Sequence, residues 1–318
     1  MEKIIQAIKE HSTFYIFGHV DPDGDCIGSQ LALAKFLNQL GKKTYLYSKG
    51  KFERLEIKRF QNQFSDSFTP ADKDGMVIIT DCSTPERTGF EDEGIDKFST
   101  IVIDHHSSGE VFGDFRCVKP QASACTMLIL ELIETMGEKP SKEVAELLML
   151  GLCTDTGFFK HLTETGVPAF EAAAKLTAYG ASPNKIYFDV NCNKKAATLK
   201  LISQALERAT LYLDGKLIIT YETLEDYETI PRECRDIDTV YPLLLATAGV
   251  QVAASVKEDD PVKVTVGLRT RCDNIDLGAA AALLGGGGHK KAAGFKVMNS
   301  NAEAVVKLLV EHFSKILV

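Results

Sequence analysis

Four short apolar runs punctuate the first third of the chain, separated by segments with helical spacing. Thr13–His19 (TFYIFGH), Thr44–Ser48 (TYLYS), Met76–Asp81 (MVIITD) and Thr100–His106 (TIVIDHH) are each long enough for a buried strand and too short for a helix. Between the first two, Ile27, Leu31, Ala34 and Leu37 recur at helical intervals, and Gly41 follows as a stop signal. Further helices are predicted over Ser123–Gly137, over Ser141–Leu152 with Ser141 as N-cap, and over Thr165–Tyr179 with Pro168 near its start. Strand–helix alternation of this kind predicts a parallel sheet covered on both faces.

The second half has a different rhythm. Ala197–Thr210 is predicted as a connecting helix, and Leu211–Tyr221 holds an Asp214-Gly215 pair between strand-like runs, a hairpin signal. Val250–Arg269 reads as two more strands around a polar turn, Ile275–Leu284 as a helix, and Ala302–Leu317 as a closing amphipathic helix. The expected fold class is α/β: an N-terminal Rossmann-like parallel sheet covered by helices, plus a smaller α+β C-terminal domain. The expected boundaries are 1–190, a linker helix over 191–210, and 211–318, with the hinge at Asn191–Lys195. There is no internal repeat, and the one low-complexity piece is GGGGH at Gly285–His289.

Composition narrows the function classes. A chain of 318 residues suits two domains, and 45% hydrophobic with 25% charged residues is ordinary for a globular protein. The net charge of −8 argues against whole-surface attraction to nucleic acid or an anionic membrane, so an anionic substrate has to be held by local cations or metals. Eight cysteines show no Cys-x-x-Cys spacing. The opening MEKIIQAIKEHS carries charge where a signal peptide is apolar, and no run approaches a membrane span. Reduced thiols and a cytoplasmic location are expected.

Candidate chemistry collects at the predicted strand ends, where parallel sheets form their sites. After the first strand comes HVDPDGD, with His19, Asp21, Asp23 and Asp25; after the third, DCSTPER, beginning at Asp81; after the fourth, Asp104-His105-His106. A later helical run leads into GLCTDTGFF and Asp155. Carboxylate and imidazole without thiolate suit a borderline divalent ion such as manganese. Two such ions about 3.5–4 Å apart clamp a phosphoryl group and activate a water, with one carboxylate bridging them and others capping each. Each piece also has a plain reading. Asp-Pro-Asp-Gly-Asp is good turn chemistry, Asp81 alone suits a helix cap, and His105-His106 alone suits a solvated pair. A calcium loop is excluded because Leu31 and Ala32 stand where its closing Glu is required. Four such features at strand ends and loops together make coincidence a poor explanation.

HVDPDGDCIGS, DCSTPER, DHH and GLCTDTG resemble the four ordered motifs of the DHH phosphoesterase superfamily, and GLRTR followed by GGGGHKKAAGF resembles its associated C-terminal domain. The resemblance runs from His19 to Phe295. The length and the glycine-rich motif are most similar to the oligoribonuclease and phosphoadenosine-phosphate phosphatase branch. It implies that His19 and Asp23 bind a first metal, that Asp25, His105 and Asp155 bind a second, and that Asp81 bridges them. It further implies that His106 contacts the scissile phosphate and that Asp104 orients an imidazole. Asp21 stands where the family usually carries Asn. Cys26 and Cys82, beside ligands, read as packed thiols.

The glycine-rich stretch has the plain reading of a flexible linker. It also brings backbone N–H groups close to a phosphate, and the resemblance implies that Gly286, Gly287, Gly288 and His289, with Arg269, hold the substrate's non-scissile end. Lys290, Lys291, Arg271 and Arg87 have solvation or salt bridges as ready alternatives. The implied activity is hydrolysis of short oligoribonucleotides or linear dinucleotides to mononucleotides, and of 3′-phosphoadenosine 5′-phosphate to AMP. A metal-bridged water would attack phosphorus in a cleft between the domains. Two divalent ions are implied, Mn2+ first, with Mg2+ or Co2+ as alternatives. No extended basic stripe is present to track a long polymer. No membrane partner is expected, and a homodimer is expected from base rate and family analogy. Two alternatives are weaker. A manganese pyrophosphatase shares the N-terminal motifs but carries a basic Ser-Arg-Lys-type loop not found here, and a nucleotide sensor with a degraded site conflicts with the intact His and Asp set.

Overall fold

A computed structural model of the chain describes residues 1–317 except Asn193, Arg232 and Glu233. The chain divides into two units, Met1–Asn193 and Lys194–Val318. Asn193, inside the expected hinge, lies outside the described residues.

In the first unit β1 (Thr13–Phe17), β2 (Lys43–Tyr47), β3 (Met76–Thr80), β4 (Thr100–Asp104) and β5 (Phe115–Val118) form one sheet in the order β2-β1-β3-β4-β5, parallel throughout. Helix α1 (Glu2–Glu10) precedes it, α2 (Gly24–Gln39) crosses from β1 to β2, and α3 (Leu55–Lys58) is a single turn. Four helices follow the last strand: α4 (Cys125–Thr135), α5 (Lys142–Asp155), α6 (Val167–Ala178) and α7 (Pro183–Asn191). Ser141 caps α5 by accepting from Val144 N, and Gly41 closes α2 at φ +76°. Pro168 falls in the first turn of α6, where its missing N–H costs nothing.

All five residues of β1 and of β3 are buried, as a strand covered on both faces requires. Phe14 and Ile16 join Ile78, Ile101 and Ile103 against the helices. Tyr15 and Phe17 point the other way, into an aromatic cluster with Tyr47, Phe68 and Phe90, where the Phe17 and Tyr47 rings stack 4.9 Å apart. Loops and short helical turns, rather than helices, close this second face. Strand β5 and helices α1, α3 and α7 went unpredicted. Strand β5 has only four residues and an exposed Arg116, as an edge strand permits, so it gives little periodic signal. Helix α1 buries Ile4, Ile5, Ala7 and Ile8 beneath a charged outer face.

In the second unit the expected linker helix is α8 (Ala196–Glu207), which packs Ile202 and Ala205 into this unit's own core. It is followed by β6 (Thr210–Tyr212), β7 (Leu217–Glu222), α9 (Asp226–Thr229), α10 (Ile237–Leu245), β8 (Val252–Asp260), β9 (Lys263–Thr270), α11 (Leu277–Ala282), β10 (Gly287–His289), β11 (Ala292–Met298) and α12 (Ala302–Ser314). The sheet order is β10-β11-β9-β8-β7-β6, antiparallel except for β7 beside β8. That one parallel pair arises because α10 intervenes and returns the chain, which hairpin signals alone do not foretell. The Asp214-Gly215 hairpin forms as expected, with Leu213, Asp214 and Gly215 all at positive φ. Leu217, Ile219, Val266 and Leu268 pack on α11 and α12, while Ile218 and Ala253 pack on α8 and α10. Among the described residues no helix is long and apolar enough to cross a membrane.

Close helix packing sets the first unit's geometry. A Cβ on Gly28 of α2 would lie 2.7 Å from the Leu147 carbonyl oxygen of α5, and one on Gly151 of α5 would lie 2.6 Å from Asp25 Oδ1. Both glycines therefore let α2 and α5 approach to backbone contact beside Asp25. Gly28→Ala should gain about 1 kcal/mol of helix propensity yet lower net stability by about 1–3 kcal/mol, because a carbonyl cannot move aside as a side chain can. Urea unfolding should show a lower midpoint, and an unchanged midpoint would mean the helices have room to part.

Candidate active site and metal centre

The carboxyl ends of β1, β3 and β4 and the start of α2 meet the end of α5. Asp23 is the N-cap of α2: its Oδ1 accepts from Asp25 N and Cys26 N, both at 3.0 Å. This satisfies helix-end donors and fixes the loop that carries His19. Asp25, in the first turn, is fully buried and accepts from Cys125 N at 2.5 Å and from Thr126 N and Oγ1 at 3.0 and 2.8 Å. It thereby caps α4 from a hundred residues away, a job the α4 N-cap residue Ala124 has no side chain to do. Asp81 follows β3 with φ +53°, a left-handed conformation uncommon for a residue with a side chain, and its N–H donates to Ile103 O.

Asp81 stands at the centre. Its Oδ2 lies 3.4 Å from His19 Nε2, and its Oδ1 lies 3.3 Å from His105 Nε2 and 3.8 Å from His106 Nδ1. His19 Nε2 is also 4.0 Å from Asp23, while His105 Nε2 is 3.8 Å from Asp25 and 3.6 Å from Asp155. One carboxylate thus faces two groups of donors, His19 with Asp23 and His105 with Asp25 and Asp155. His105 Nδ1 donates to Ala122 O at 3.1 Å, which turns Nε2 toward the carboxylates. Asp104 Oδ1 accepts from His105 N, His106 N and His106 Nδ1, at 2.8, 3.2 and 2.7 Å, so one buried oxygen fixes the whole His-His turn.

Burial and charge crowding together set the protonation tendencies. Burial, with Asp81 and Asp155 nearby, pushes the Asp25 carboxyl well up, and burial pushes Asp155 up to about 6. Burial lowers His105, but Asp81, Asp25 and Asp155 outweigh it and carry the imidazole up to about 10. Burial also works to raise Asp81, yet His105 and His19 together hold it far below the usual carboxylate range. His106 is raised chiefly by its hydrogen bond to Asp104.

The donor set fits divalent cations. The buried Asp81 Oδ1 and His19 Nδ1 have no aligned hydrogen-bond partner, and the crowded carboxylates lack sufficient positive charge. Among the described residues, three groups have ligand atoms within 4.8 Å of one another: His19, Cys26 and Asp81; Asp81, His105 and His106; Asp25, His105 and Asp155. Cys26 falls within the first group, but burial pushes its thiol well up, the protonated form that a packed thiol carries. Asp21 is exposed and belongs to none of these groups.

The glycine-rich segment lies in the second unit, and part of it is strand. Gly287, Gly288 and His289 pair with Gly294, Ala293 and Ala292. Ala292 in turn pairs with Arg269, and Arg269 with Ala253. Directly opposed residues share a face, so His289, Ala292 and Arg269 form one row with the smallest side chain between the two polar ones. Arg269 is held over the Tyr241 ring at 4.7 Å and lies 3.4 Å from Asp238. A Cβ on Gly286 would fall 2.2 Å from Gly294 O, and Gly288 has φ +141°, so both positions require glycine. Gly287 has open space around it. Lys291 pairs with Asp273 and Arg271 donates to Leu245 O, while the Arg87 carbonyl accepts from Val20 N beside His19.

The pKa directions set the stability of the metal-free protein. The folded state holds protons on Asp155 up to about pH 6 and on His105 up to about pH 10, above their unfolded values near 3.9 and 6.5. Stability from each is present below the unfolded value and lost as pH rises to the folded one. Chelator-treated protein should therefore melt several degrees lower at pH 9.5 than at pH 6.5, and added Mn2+ should reverse the loss. A flat profile would show that the cluster carries no excess proton.

Residues 13–152 match the DHH family, N-terminal domain, and residues 231–316 match the DHHA1 domain. The chain is 28% identical over 312 residues to the bifunctional oligoribonuclease and PAP phosphatase NrnA of Thermus thermophilus, covering 97% of this chain and 91% of that protein. It is 30% identical over 307 residues to an uncharacterized protein of Mycoplasma genitalium, covering 93% and 90%. The solved structure of an exopolyphosphatase-related protein from Bacteroides fragilis shares the fold at TM-score 0.77 and 24% identity, over 99% of this chain and 95% of that one. The chain belongs to the DHH family, with a DHH N-terminal domain followed by a DHHA1 domain.

Proposed function

We propose that the protein is a metal-dependent phosphoesterase that hydrolyses short oligoribonucleotides or linear dinucleotides to mononucleotides, and 3′-phosphoadenosine 5′-phosphate to AMP. The observation that carries this reading is the Asp81 carboxylate, one oxygen facing His19 and the other facing His105. The likeness along nearly the whole chain to a bifunctional oligoribonuclease and PAP phosphatase supports the substrate class. In this reading 1–190 is the catalytic domain, 191–210 the connection and 211–318 the substrate-binding domain.

His19 and Asp23 would hold one divalent ion, Asp25, His105 and Asp155 the other, and Asp81 both. Bound there, the ions supply charge against the phosphoryl oxygens and a water that ionises near neutral pH. Oxygen and imidazole donors support manganese over softer ions. The chain's own residues do the rest. Asp104 Oδ1 accepts a hydrogen bond from His106 Nδ1–H and leaves Nε2 free to face a phosphoryl or leaving-group oxygen, and that hydrogen bond raises the His106 pKa, favouring the form that carries a proton on Nε2 as well. The His289–Ala292–Arg269 row supports a grip on the substrate's far phosphate: two donors flank a shallow alanine, and bare glycine backbone runs alongside. Free cysteines support a reducing, cytoplasmic setting, and family analogy supports a homodimer.

The test offers purified protein with Mn2+ a 5′-phosphorylated diadenylate, 3′-phosphoadenosine 5′-phosphate and pyrophosphate side by side. AMP release from a nucleotide with pyrophosphate intact is the expected result, and cleavage of pyrophosphate alone would overturn it. Asp81→Ala should reduce turnover of every substrate by at least about 1,000-fold and weaken metal binding measured by calorimetry. Substantial retained activity would remove the bridging role. His289→Ala should raise KM for nucleotides roughly ten-fold with both metals still bound, since it deletes a phosphate contact and no ligand. Loss of metal in that variant would contradict the assignment of the glycine segment.

A further inference from the structure

An aromatic surface begins three residues beyond Asp155. Gly157, Phe158 and Phe159 have φ of +55°, +54° and +68°, three successive left-handed residues of which two carry bulky side chains. Such residues rarely adopt this conformation, and where it persists the surroundings enforce it. Here Phe158 N donates to Cys153 O at 2.7 Å, Phe159 N to Thr156 Oγ1 at 3.2 Å and His161 N to Thr156 O at 3.2 Å. The turn directs Phe159 onto Phe170 of α6, stacked at 5.0 Å and 22°, and Phe158 onto the edge of Tyr187 of α7 at 5.3 Å. Tyr187 meets Phe188 at 6.0 Å.

Phe158 and Phe159 rest on the hydrophobic core, but Phe170, Tyr187 and Phe188 are 55%, 49% and 52% exposed. A single exposed apolar residue needs no explanation, whereas two ring sets seated on adjacent residues of one turn, Phe158–Tyr187–Phe188 and Phe159–Phe170, with each outer ring about half in solvent, do. Chain reach places Phe158 within about 11 Å of Asp155, Cα to Cα. The inner pair, Phe158 and Phe159, is therefore tied by backbone to a carboxylate that lies 3.6 Å from His105, and the outer rings join it by contact. No metal-ligand role uses them, and core packing does not require the outer three.

We propose that this surface is a stacking platform for a nucleobase of the substrate. The proposal rests on the nucleotide phosphoesterase reading and names how that site holds a base. Aromatic rings stack on any base through its π-face, so the platform favours nucleotides over inorganic phosphate compounds without selecting sequence. A rigid left-handed turn suits this task because it sets the inner rings at a fixed place relative to Asp155.

The test uses full-length protein, Phe170→Ala and Tyr187→Ala, with Val167→Ala as an exposed apolar control on the same helix as Phe170. Two readouts are taken: steady-state hydrolysis of diadenylate with Mn2+, and quenching of a 2-aminopurine dinucleotide by metal-free protein. Both aromatic variants should raise KM roughly ten-fold with kcat little changed and lose the quenching, while the control keeps both. Wild-type hydrolysis with unaltered KM and quenching in the variants would overturn the platform and leave the phosphoesterase standing. No hydrolysis, but quenching that the variants lose, would retain the platform and remove the chemistry. Absence of both in the wild type would remove both. A variant that sediments as a monomer where the wild type is a dimer, with KM unmoved, would assign the rings to a second copy and overturn the proposal.

Discussion

Mutual repulsion among Asp23, Asp25, Asp81, Asp104 and Asp155 is the constraint on which the N-terminal unit turns. Each carboxylate is held by something specific. Asp23 and Asp25 take the amide donors of two helix N-termini, and Asp104 takes two amides and an imidazole. Asp81 has imidazoles on either side. Asp155, at the C-terminal end of α5, sits where the helix dipole is unfavourable to a negative charge and relies on His105. Burial first, and neighbouring carboxylates after it, push Asp25 and Asp155 up, so without a cation the cluster keeps protons instead of its full negative charge. This retention of protons is the physical basis for reading the cluster as a cation site, because a pair of divalent ions would displace protons from it.

The same carboxylates serve the fold. Asp23 starts α2 and Asp25 starts α4, so carboxylate positions and helix positions are set by the same hydrogen bonds. Gly28 and Gly151 bring α2 and α5 into backbone contact beside Asp25, leaving little freedom for the site to spread. Asp81 adds a left-handed backbone at the end of β3, which turns its side chain between the histidines. A site built this way is organised before any ligand enters, the condition under which charge stabilisation is effective.

The second unit faces a different problem in the proposed reading, which asks it to hold an anion without a cluster of cations. Arg269 is laid over Tyr241, His289 lies two strands away in the same row, and the intervening Ala292 leaves the surface open. Glycine at Gly286 and Gly288 is a steric requirement of pairing β10 to β11, which gives the GGGGH segment a defined backbone in place of a floppy one. The spacing of polar groups here comes from strand separation.

By itself the chain's sequence determined the strand–helix alternation, the strand-end placement of His19, Asp81 and Asp104–His106, and the membership signalled by its motifs. These are local properties, written in apolar runs of strand length and in residues that directly follow them. Tertiary structure decided the rest. That Asp25 caps α4, that Ala122 O turns His105, and that Asp81 faces both imidazoles depend on contacts between segments tens to a hundred residues apart. No periodicity encodes such contacts. The closing of the aromatic sheet face by loops, the parallel pairing of β7 with β8, and the row joining Arg269 to His289 were equally hidden. Register and helix approach are settled by packing among distant segments, and a one-residue slip in any of them would move every side chain to another face.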